Sequence, residues 1–464
     1  MSPVRGPAGA PLDLDAIRPC LEGSVPGVMA TCGSDGMPNV TYVSQVEYVD
    51  ARHLALSFQF FNKTRRNVLA NPSVELLVVH PQHGAMYRIT ARYLRTETEG
   101  PLFARMKAKL AGIASHTGMS GVFSLRGADV YAVDRVEQLS APRRTPALPV
   151  GSPLSALRRS SQRVSACADL DALVESLLDG LVEDFGLRHA MLLMAEAPAR
   201  RLYTVASRGY GRSGAGAEIA FDDGVIGVAA AMRTPIRINH ATLEYSYGRA
   251  VREGAGGPPA DRAIALPGLA EPGSQMALPL LGAGQVMGVL FVESPQELRF
   301  DWDLEDALMA LAGQVAALVL AVQREAGADP EPTGAATLEG ASPGDALRTG
   351  PAPAAPLRVR HYPADDSVFF DDEYLIKGVA GAVLWKLLRE HAGSGRTAFT
   401  NRELRLAASE LGLPEVGDNL EARLLLLTRR LCDRHAGVAL EKTGRGRFRL
   451  RLERPVQLIE SPAG

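Results

Sequence analysis

The sequence predicts a multidomain chain of three folded units: a small β barrel, a half-buried sheet closed by a long helix, and three helices followed by a hairpin. Three observations predict it. Residues 12–140 carry many short apolar runs punctuated by Gly and Pro and few helical stretches, the pattern of a small barrel. Residues 160–325 repeat such runs and end in a helix whose apolar positions alternate four and three apart. Residues 357–458 read helix, helix, helix, hairpin. The connecting segments 141–159, with Pro142, Pro146, Pro149 and Pro153, and 326–356, rich in Ala, Gly and Pro, read as linkers. Their composition buries too little apolar surface to fold alone, and the second is expected to be flexible.

The 464 residues suffice for about three domains, and 46% hydrophobic content supplies ordinary cores. A formal net charge of −2 gives no global pull toward nucleic acid or membrane, so local charge must decide. Cys20, Cys32, Cys167 and Cys432 are scattered and form no C-x-x-C pair, which fits reduced thiols of a cytoplasmic protein. Residues 1–16 lack the apolar core of a signal peptide, and no run of about 20 apolar residues stands out as a membrane span. His189 and His240 are lone histidines, so no metal site is expected. There is no G-x-S-x-G, Walker A or H-E-x-x-H pattern, and no catalytic residue is assigned.

In the first unit Gly27–Thr31, Asn39–Tyr48, His53–Phe58, Val74–Val79 and Met86–Arg95 read as strands. Ser34-Asp35-Gly36 is a hairpin turn. Helices are expected over Asn62–Ala70, ending at Asn71-Pro72, and over Gly100–Gly112. The runs "GMPNVTYVSQV" and "LALSFQFFNKTRRNVLANPSVELLV" resemble the FMN-binding split barrel of the pyridoxamine 5′-phosphate oxidase family. The resemblance implies FMN, with its phosphate at Lys63 and Thr64, Asn62 beside them and Arg65 and Arg66 nearby. Hydroxyl and cationic donors at a helix N-terminus suit a phosphate. The backbone near Tyr42–Ser44 and Ser57–Gln59, with Tyr42, Ser44 and Ser57 as the candidate residues, would face the flavin ring, held between two protomers. Read without the resemblance, Lys63–Arg66 is the solvated first turn of a helix. After Val136 the Arg- and His-rich substrate segment of the true oxidases is missing. That speaks against vitamin B6 oxidation and for a flavin-binding or sensory barrel.

In the second unit Leu170, Leu173, Leu177 and Leu181 give Asp169–Phe185 one apolar face. Gly224–Ala229, Thr234–Ile238, Ser274–Leu280 and Gly288–Val292 read as strands. Leu304, Leu308, Leu311, Val315, Leu318 and Val322 form a seam that suits either paired helices of a homodimer or a core helix on its own sheet. "GVIGVAAAMRTPIRI", "SQMALPL" and "MGVLFVESPQELRFDWDLEDALMALAGQVAALV" resemble the GAF sensory domain. That implies an antiparallel sheet with flanking helices, an unidentified small-molecule ligand and a homodimer. Tyr245, Tyr247, Arg249 and Arg252, in the long loop His240–Pro272, are candidates to line the ligand. The loop reads equally as a surface insertion. The cyclic-nucleotide Asn-Lys signature is absent, since Val292-Glu293-Ser294 stands there, and no cysteine offers itself to a bilin.

The third unit opens with strand-like Ser367–Phe370, an acidic turn at Asp371–Glu373 and a helix over Val379–Glu390. Thr400 and Glu403 form a capping box that starts a second helix. Leu420–Arg434 is the third helix, and Val438–Leu452 a hairpin turning at Gly444-Arg445-Gly446. This is a winged helix-turn-helix order. "DDEYLIKGVAGAVLWKLLREHAG", "TNRELRLAA", "NLEARLLLLTRRL" and "LEKTGRGRFRLRL" resemble the DNA-binding effector domain of response regulators. Residues 421–454 hold ten basic against four acidic residues. Leu420, Leu424, Leu427 and Leu431 would form the buried stripe of the third helix. Arg423, Arg430 and Arg434 would share a neighbouring stripe toward solvent and meet double-stranded DNA with Lys442, Arg445 and Arg447 of the wing. The alternative is that some arginines pair with Asp371–Glu373 and serve folding. Three readings of the whole follow: a ligand- or redox-sensing transcription regulator, an FMN-dependent oxidoreductase with accessory domains, or a signalling scaffold that does not bind DNA.

Overall fold

A computed structural model describes residues 13–23, 25–58, 63–116, 124–142, 151–239, 264–327, 355–413, 420–434 and 437–461. Asn62, Tyr245, Tyr247, Arg249 and Arg252 lie outside the described residues, as does most of 326–356. The first unit begins with a 3-10 turn, Asp15–Leu21, and builds a seven-stranded antiparallel sheet. Its strands are β1 (Gly27–Cys32), β2 (Pro38–Val43), β3 (Val46–Asp50), β4 (His53–Phe58), β5 (Ser73–Val79), β6 (Met86–Glu97) and β7 (Gly127–Gln138), ordered β2-β1-β5-β6-β7-β4-β3. Gly36, at φ +74, closes the β1–β2 turn.

The expected single strand Asn39–Tyr48 is two strands at opposite edges of the sheet. The alternation of buried and exposed residues loses its phase there, because Gln45, Val46 and Glu47 are all buried. This break also dictates closure. Val43 to Val46 is three residue steps, at most about 11 Å. A flat seven-stranded sheet would hold its edges about 29 Å apart. The sheet must therefore curl until β2 and β3 approach without pairing. Residues of all seven strands, including Met29, Val43, Val46, Leu54, Leu76, Ile89 and Tyr131, accordingly meet in one core with Leu14 and Ile17. Helix α1 (Lys63–Ala70) stops at Asn71-Pro72 as expected, and α2 (Pro101–His116) leaves the barrel.

The second unit is a six-stranded antiparallel sheet ordered β10-β9-β8-β13-β12-β11. Its strands are β8 (His189–Glu196), β9 (Arg201–Arg208), β10 (Glu218–Ala220), β11 (Ile236–Ile238), β12 (Ser274–Gly282) and β13 (Gln285–Ser294). Helices α3 (Pro153–Ser165), α4 (Leu170–Glu183) and α6 (Trp302–Gly327) belong to the core on one face; α5 (Gly224–Met232) packs on the other. Two expectations are corrected here. Part of the expected linker 141–159 is helix α3: Pro153 sits in its first turn behind the Ser152 cap, and Ala156, Ser160 and Val164 are buried. Gly224–Ala229, read as strand, is the start of α5. It is apolar on every side and buried, a case in which periodicity cannot separate helix from strand.

The seam of α6 is core. Leu304, Leu308, Leu311 and Val315 are at most 2% exposed, and Leu318 and Val322 pack against the same cluster. The seam from Leu304 to Val315 therefore faces the chain's own sheet, and Leu318 and Val322 are partly exposed at its end. Among the described residues α6 alone has the length and apolarity to span a membrane, but this side of it is occupied. The barrel joins the second unit through α2. Ala108 lies in the core beneath α5, and Gly112 comes so close to β11 that a Cβ there would sit 2.3 Å from the Ile236 side chain.

The C-terminal unit holds β14 (Leu357–Tyr362), β15 (Ser367–Phe370), β16 (Glu373–Ile376), α7 (Gly378–Ser394), β17 (Ala398–Thr400), α8 (Asn401–Leu406), α9 (Leu420–Arg434), β18 (Val438–Gly444), β19 (Arg447–Leu452) and β20 (Val456–Glu460). Strands β16-β15-β14-β20 form one sheet, with β20 parallel to β14, and β17-β19-β18 form a second. The capping box at Thr400 and Glu403 is made in both directions. Strands β14, β16 and β20 were not anticipated.

Candidate functional site

Three polar constellations stand out, one in each unit. In the barrel, α1 starts at Lys63, which is exposed. The hydroxyl of Thr64 accepts a hydrogen bond from Asn39 Nδ2 at 2.8 Å, tying the helix to β2. The hydroxyls of Ser44 and Ser57 lie 3.5 Å apart, between the β2–β3 connection and β4. Arg65 departs from expectation. Its guanidinium donates to both oxygens of Asp129, at 2.7 and 2.8 Å, and to Thr96, and its plane lies over Phe58. Asp129 is buried, and burial raises its pKa against the pull of Thr96 and Arg65. Such a pair is costly to break, so Arg65 is a structural partner of Asp129 and not a free phosphate ligand. The Tyr42 side chain is 81% exposed on β2, on the same face as Val40, and Met37 is exposed just before the strand.

In the second unit, His189, Glu293 and Gln275 are register neighbours across β8, β13 and β12. They share the sheet face that carries Met191, Phe291 and Ala277, the face covered by α5. Glu293 is 2% exposed. Its carboxylate accepts from the backbone N–H of Leu269 at 2.7 Å and from Gln275 Nε2 at 3.1 Å, and burial raises its pKa. The Tyr210 ring stands 5.6 Å from that of His189. Burial, and then the nearby Glu293 carboxylate, push the Tyr210 pKa up, while its hydroxyl makes no hydrogen bond of good geometry among the described residues. A buried carboxylate on the sheet, with a phenol packed beside it, makes a polar spot able to receive a donor-bearing ligand. Sequence reasoning missed it. The sequence signal for it is a glutamate ending the apolar run Gly288–Val292.

In the C-terminal unit, two of the three arginines of the expected solvent-facing stripe of α9 are buried, and the third, Arg434, is exposed but paired. Arg423 is 9% exposed, pairs with Glu196 at 2.7 Å and covers the Tyr203 ring at 4.0 Å. Arg430 is 6% exposed and donates twice to the carbonyl oxygen of Leu375, at 3.0 Å each. Burial lowers its pKa. Arg434 pairs with Glu373 at 2.6 Å, in the acidic turn, and donates to the Tyr374 carbonyl. Lys442 pairs with Asp169 at the start of α4. Arg445 and Arg447, at the hairpin turn, are exposed, and Arg449 and Arg451 continue the exposed side of β19. The cause is legible in hindsight. "LEARLLLLTRRL" is too apolar for a helix with one buried side, and a helix apolar on most sides is covered on most sides.

The comparisons with known proteins agree with two of the three units. The GAF domain family matches residues 167–319, and the pyridoxamine 5′-phosphate oxidase family matches residues 14–134. The chain therefore carries an oxidase-like barrel-type domain followed by a GAF domain; residues 320–464 lie outside both matches. No curated protein matches. Among solved structures, the GAF domain of an Acinetobacter phosphoenolpyruvate-protein phosphotransferase is 19% identical, covering 38% of this chain and 94% of its own, with TM-score 0.30. Free methionine-R-sulfoxide reductase of Neisseria meningitidis, in complex with its substrate, is 19% identical over 39% and 99%, with TM-score 0.29. An FMN-binding protein of Syntrophomonas wolfei is 17% identical over 25% and 78%, with TM-score 0.22.

Proposed function

We propose that the chain is a ligand- or redox-sensing transcription regulator, with the barrel and GAF domains as inputs and the C-terminal unit as a winged-helix output on double-stranded DNA. The observation that carries the output reading is the order α7, α8, α9, β18–β19, with Arg447, Arg449 and Arg451 alternating on the exposed side of β19. Cationic side chains along a hairpin suit phosphate contacts. In the full chain, Arg447→Ala is expected to weaken binding to all duplexes and to lower the salt slope by about one. The measurement is binding to duplexes selected from a random pool, repeated across salt. A chain that retains no duplex at low salt, either as wild type or with Asp171 and Glu175, the partners of Arg429, neutralised, would hand the reading to the scaffold.

For the barrel we propose FMN, with Lys63 and Thr64 at the phosphate and the Ser44–Ser57 side toward the ring. The residues fit in part: an exposed lysine and a threonine open α1, while Arg65 is withdrawn to Asp129. Bound flavin would supply electron transfer; Lys63 and Thr64 would supply anchorage. Lys63→Ala is expected to weaken FMN by about 1.5–3 kcal/mol, the scale of a charge-assisted hydrogen bond. Flavin fluorescence quenching reads it, and wild-type protein that quenches nothing at excess FMN removes the flavin proposal. The match of residues 14–134 to the oxidase family favours a second reading, an FMN-dependent oxidoreductase. Steady turnover of bound flavin with an added reductant and acceptor would select it. The Glu293–Gln275–Tyr210 cluster is our assignment for the polar end of the GAF ligand site. Mass spectrometry of small molecules released on denaturation tests both assignments at once.

A further inference from the structure

Helix α9 is held by the GAF domain along the side that an output helix would turn to DNA. Leu420, Leu427 and Leu431 make one buried stripe, and Ala422, Leu426 and Arg430 make a second. The second faces the GAF domain: Leu426 and Arg430 reach Gly216, next to β10, and Arg423 lies over Tyr203 of β9. Carboxylates of the GAF domain surround this contact. Arg429 meets Asp171 at 3.0 Å and Glu175 at 2.7 Å, both on α4. Arg423 meets Glu196 at the end of β8, Lys442 of the hairpin meets Asp169, and Lys377, before α7, meets Glu218 at 2.9 Å.

The contact is not sealed. A cleft of about 200 Å³ opens between the start of α4 and the hairpin, lined by Leu170, Leu424, Leu440 and Phe448, with Asp169 and Lys442 at its rim. Several of its ion pairs are solvent-exposed; Asp171 is 62% exposed and Lys442 56%. Pairs of this kind are individually weak and screened by salt. The interface thus combines one buried stripe with a releasable ring of charge.

We propose that Asp169, Asp171, Glu175 and Glu196 stand in for nucleic-acid phosphates, so that the GAF domain and a DNA duplex compete for the same cations of α9 and the hairpin. The arrangement described here is then the silent one, and an input that loosens the GAF edge releases the output helix. This inference rests on the DNA-binding reading of the C-terminal unit.

The test uses the full chain with Asp169→Asn, Asp171→Asn, Glu175→Gln and Glu196→Gln together. Asparagine at 169 keeps the α4 cap now made by Asp169 to the Ala172 N–H. Two readouts are taken: duplex binding at fixed salt, and amide hydrogen exchange across α9. Binding tighter by about tenfold or more, within the usual range of a coupling between sites, together with faster α9 exchange, supports the proposal. Faster exchange with unchanged duplex affinity overturns it while leaving the DNA reading intact. Faster exchange with no duplex bound by either protein removes the DNA reading, and this inference with it. If α9 exchange does not change, Asp171→Arg with Glu175→Arg replaces the neutral set. An α9 that stays protected against that reversal is fixed structure, and the proposal is overturned.

Discussion

Arg237→Ala will destabilise the folded chain by about 3–5 kcal/mol, the cost of removing one partner from a buried ion pair. Arg237 is the middle residue of β11, and its side chain is 7% exposed. It meets Glu22 at 3.0 Å, Glu305 at 3.0 Å and the Phe300 carbonyl at 2.9 Å. Glu22 belongs to the barrel and Glu305 to α6, so one guanidinium ties the barrel to two elements of the GAF domain. Alanine leaves two carboxylates facing each other without their cation. Burial already raises the Glu22 pKa, against the lowering effect of Arg237; in the variant that opposition is gone. The folded variant then holds a proton that the unfolded chain has released, in the window between the ordinary carboxylate pKa and the raised one. Its stability falls as pH rises through that window, so the deficit against wild type is smallest in acid. Urea unfolding at neutral and acidic pH measures this. Arg237→Met combined with Glu22→Gln and Glu305→Gln should recover much of the loss, because the stranded charges are gone. A deficit within about 1 kcal/mol at neutral pH, the size of an exposed pair, would mean that the network is not shielded and does not join the domains.

The same region shows how a change in the barrel would reach the GAF sheet. Glu47, buried on β3, binds Arg105 and Lys109 of α2 at 2.9 Å each, and the Gln45 amide donates to the Met106 carbonyl at 3.4 Å. One turn later α2 touches β11 through Gly112. The segment that crosses between the barrel edges beside Ser44 is thereby packed, through one helix, on the strand that carries Arg237. A shift at the crossing has a continuous physical route to β11.

What the sequence made legible divides by the range of the interactions involved. Local rules found the elements that local physics fixes: the turn at Gly36, the stop of α1 at Asn71-Pro72, the capping box at Thr400, the hairpin at Gly444-Arg445-Gly446. The barrel and GAF units were readable because their apolar runs recur in order. Two failures have one cause. Gly224–Ala229 and the α9 arginines were judged by their own periodicity, whereas their partners come from elsewhere in the chain, and the same ignorance left the α6 seam open between core and dimer. No pattern within α9 says that Tyr203, Glu196 and Leu375 will cover it. The Glu293 cluster failed for the same reason, since register across three strands places His189, Gln275 and Glu293 together. Arg65 looked like a phosphate ligand until Asp129, 64 residues on, claimed it.

Leu311→Asp will separate core from interface. Leu311 is 0% exposed at the centre of the α6 stripe. The substitution loses a buried leucine side chain and leaves a carboxylate without a partner among Leu308, Val315 and the sheet. Together these cost at least about 4 kcal/mol. We expect the thermal transition of the GAF domain to be lost or strongly lowered, with aggregation and not clean monomer in light scattering. A folded Leu311→Asp protein that is monomeric where wild type is dimeric would reverse this and return the seam to a subunit interface. For a homodimer we propose β2, an edge strand whose Val40 and Tyr42 are 66% and 81% exposed, with Met37 just before it 56% exposed. An exposed apolar edge is a template for a second chain. Tyr42→Asp on that patch adds charge without touching the core, so the melting transition of the GAF domain should stand while the protein runs as monomer. If Tyr42→Asp leaves a dimer intact, β2 is not its interface. The two variants thus predict opposite pairs of outcomes, one losing the fold and the other only the partner.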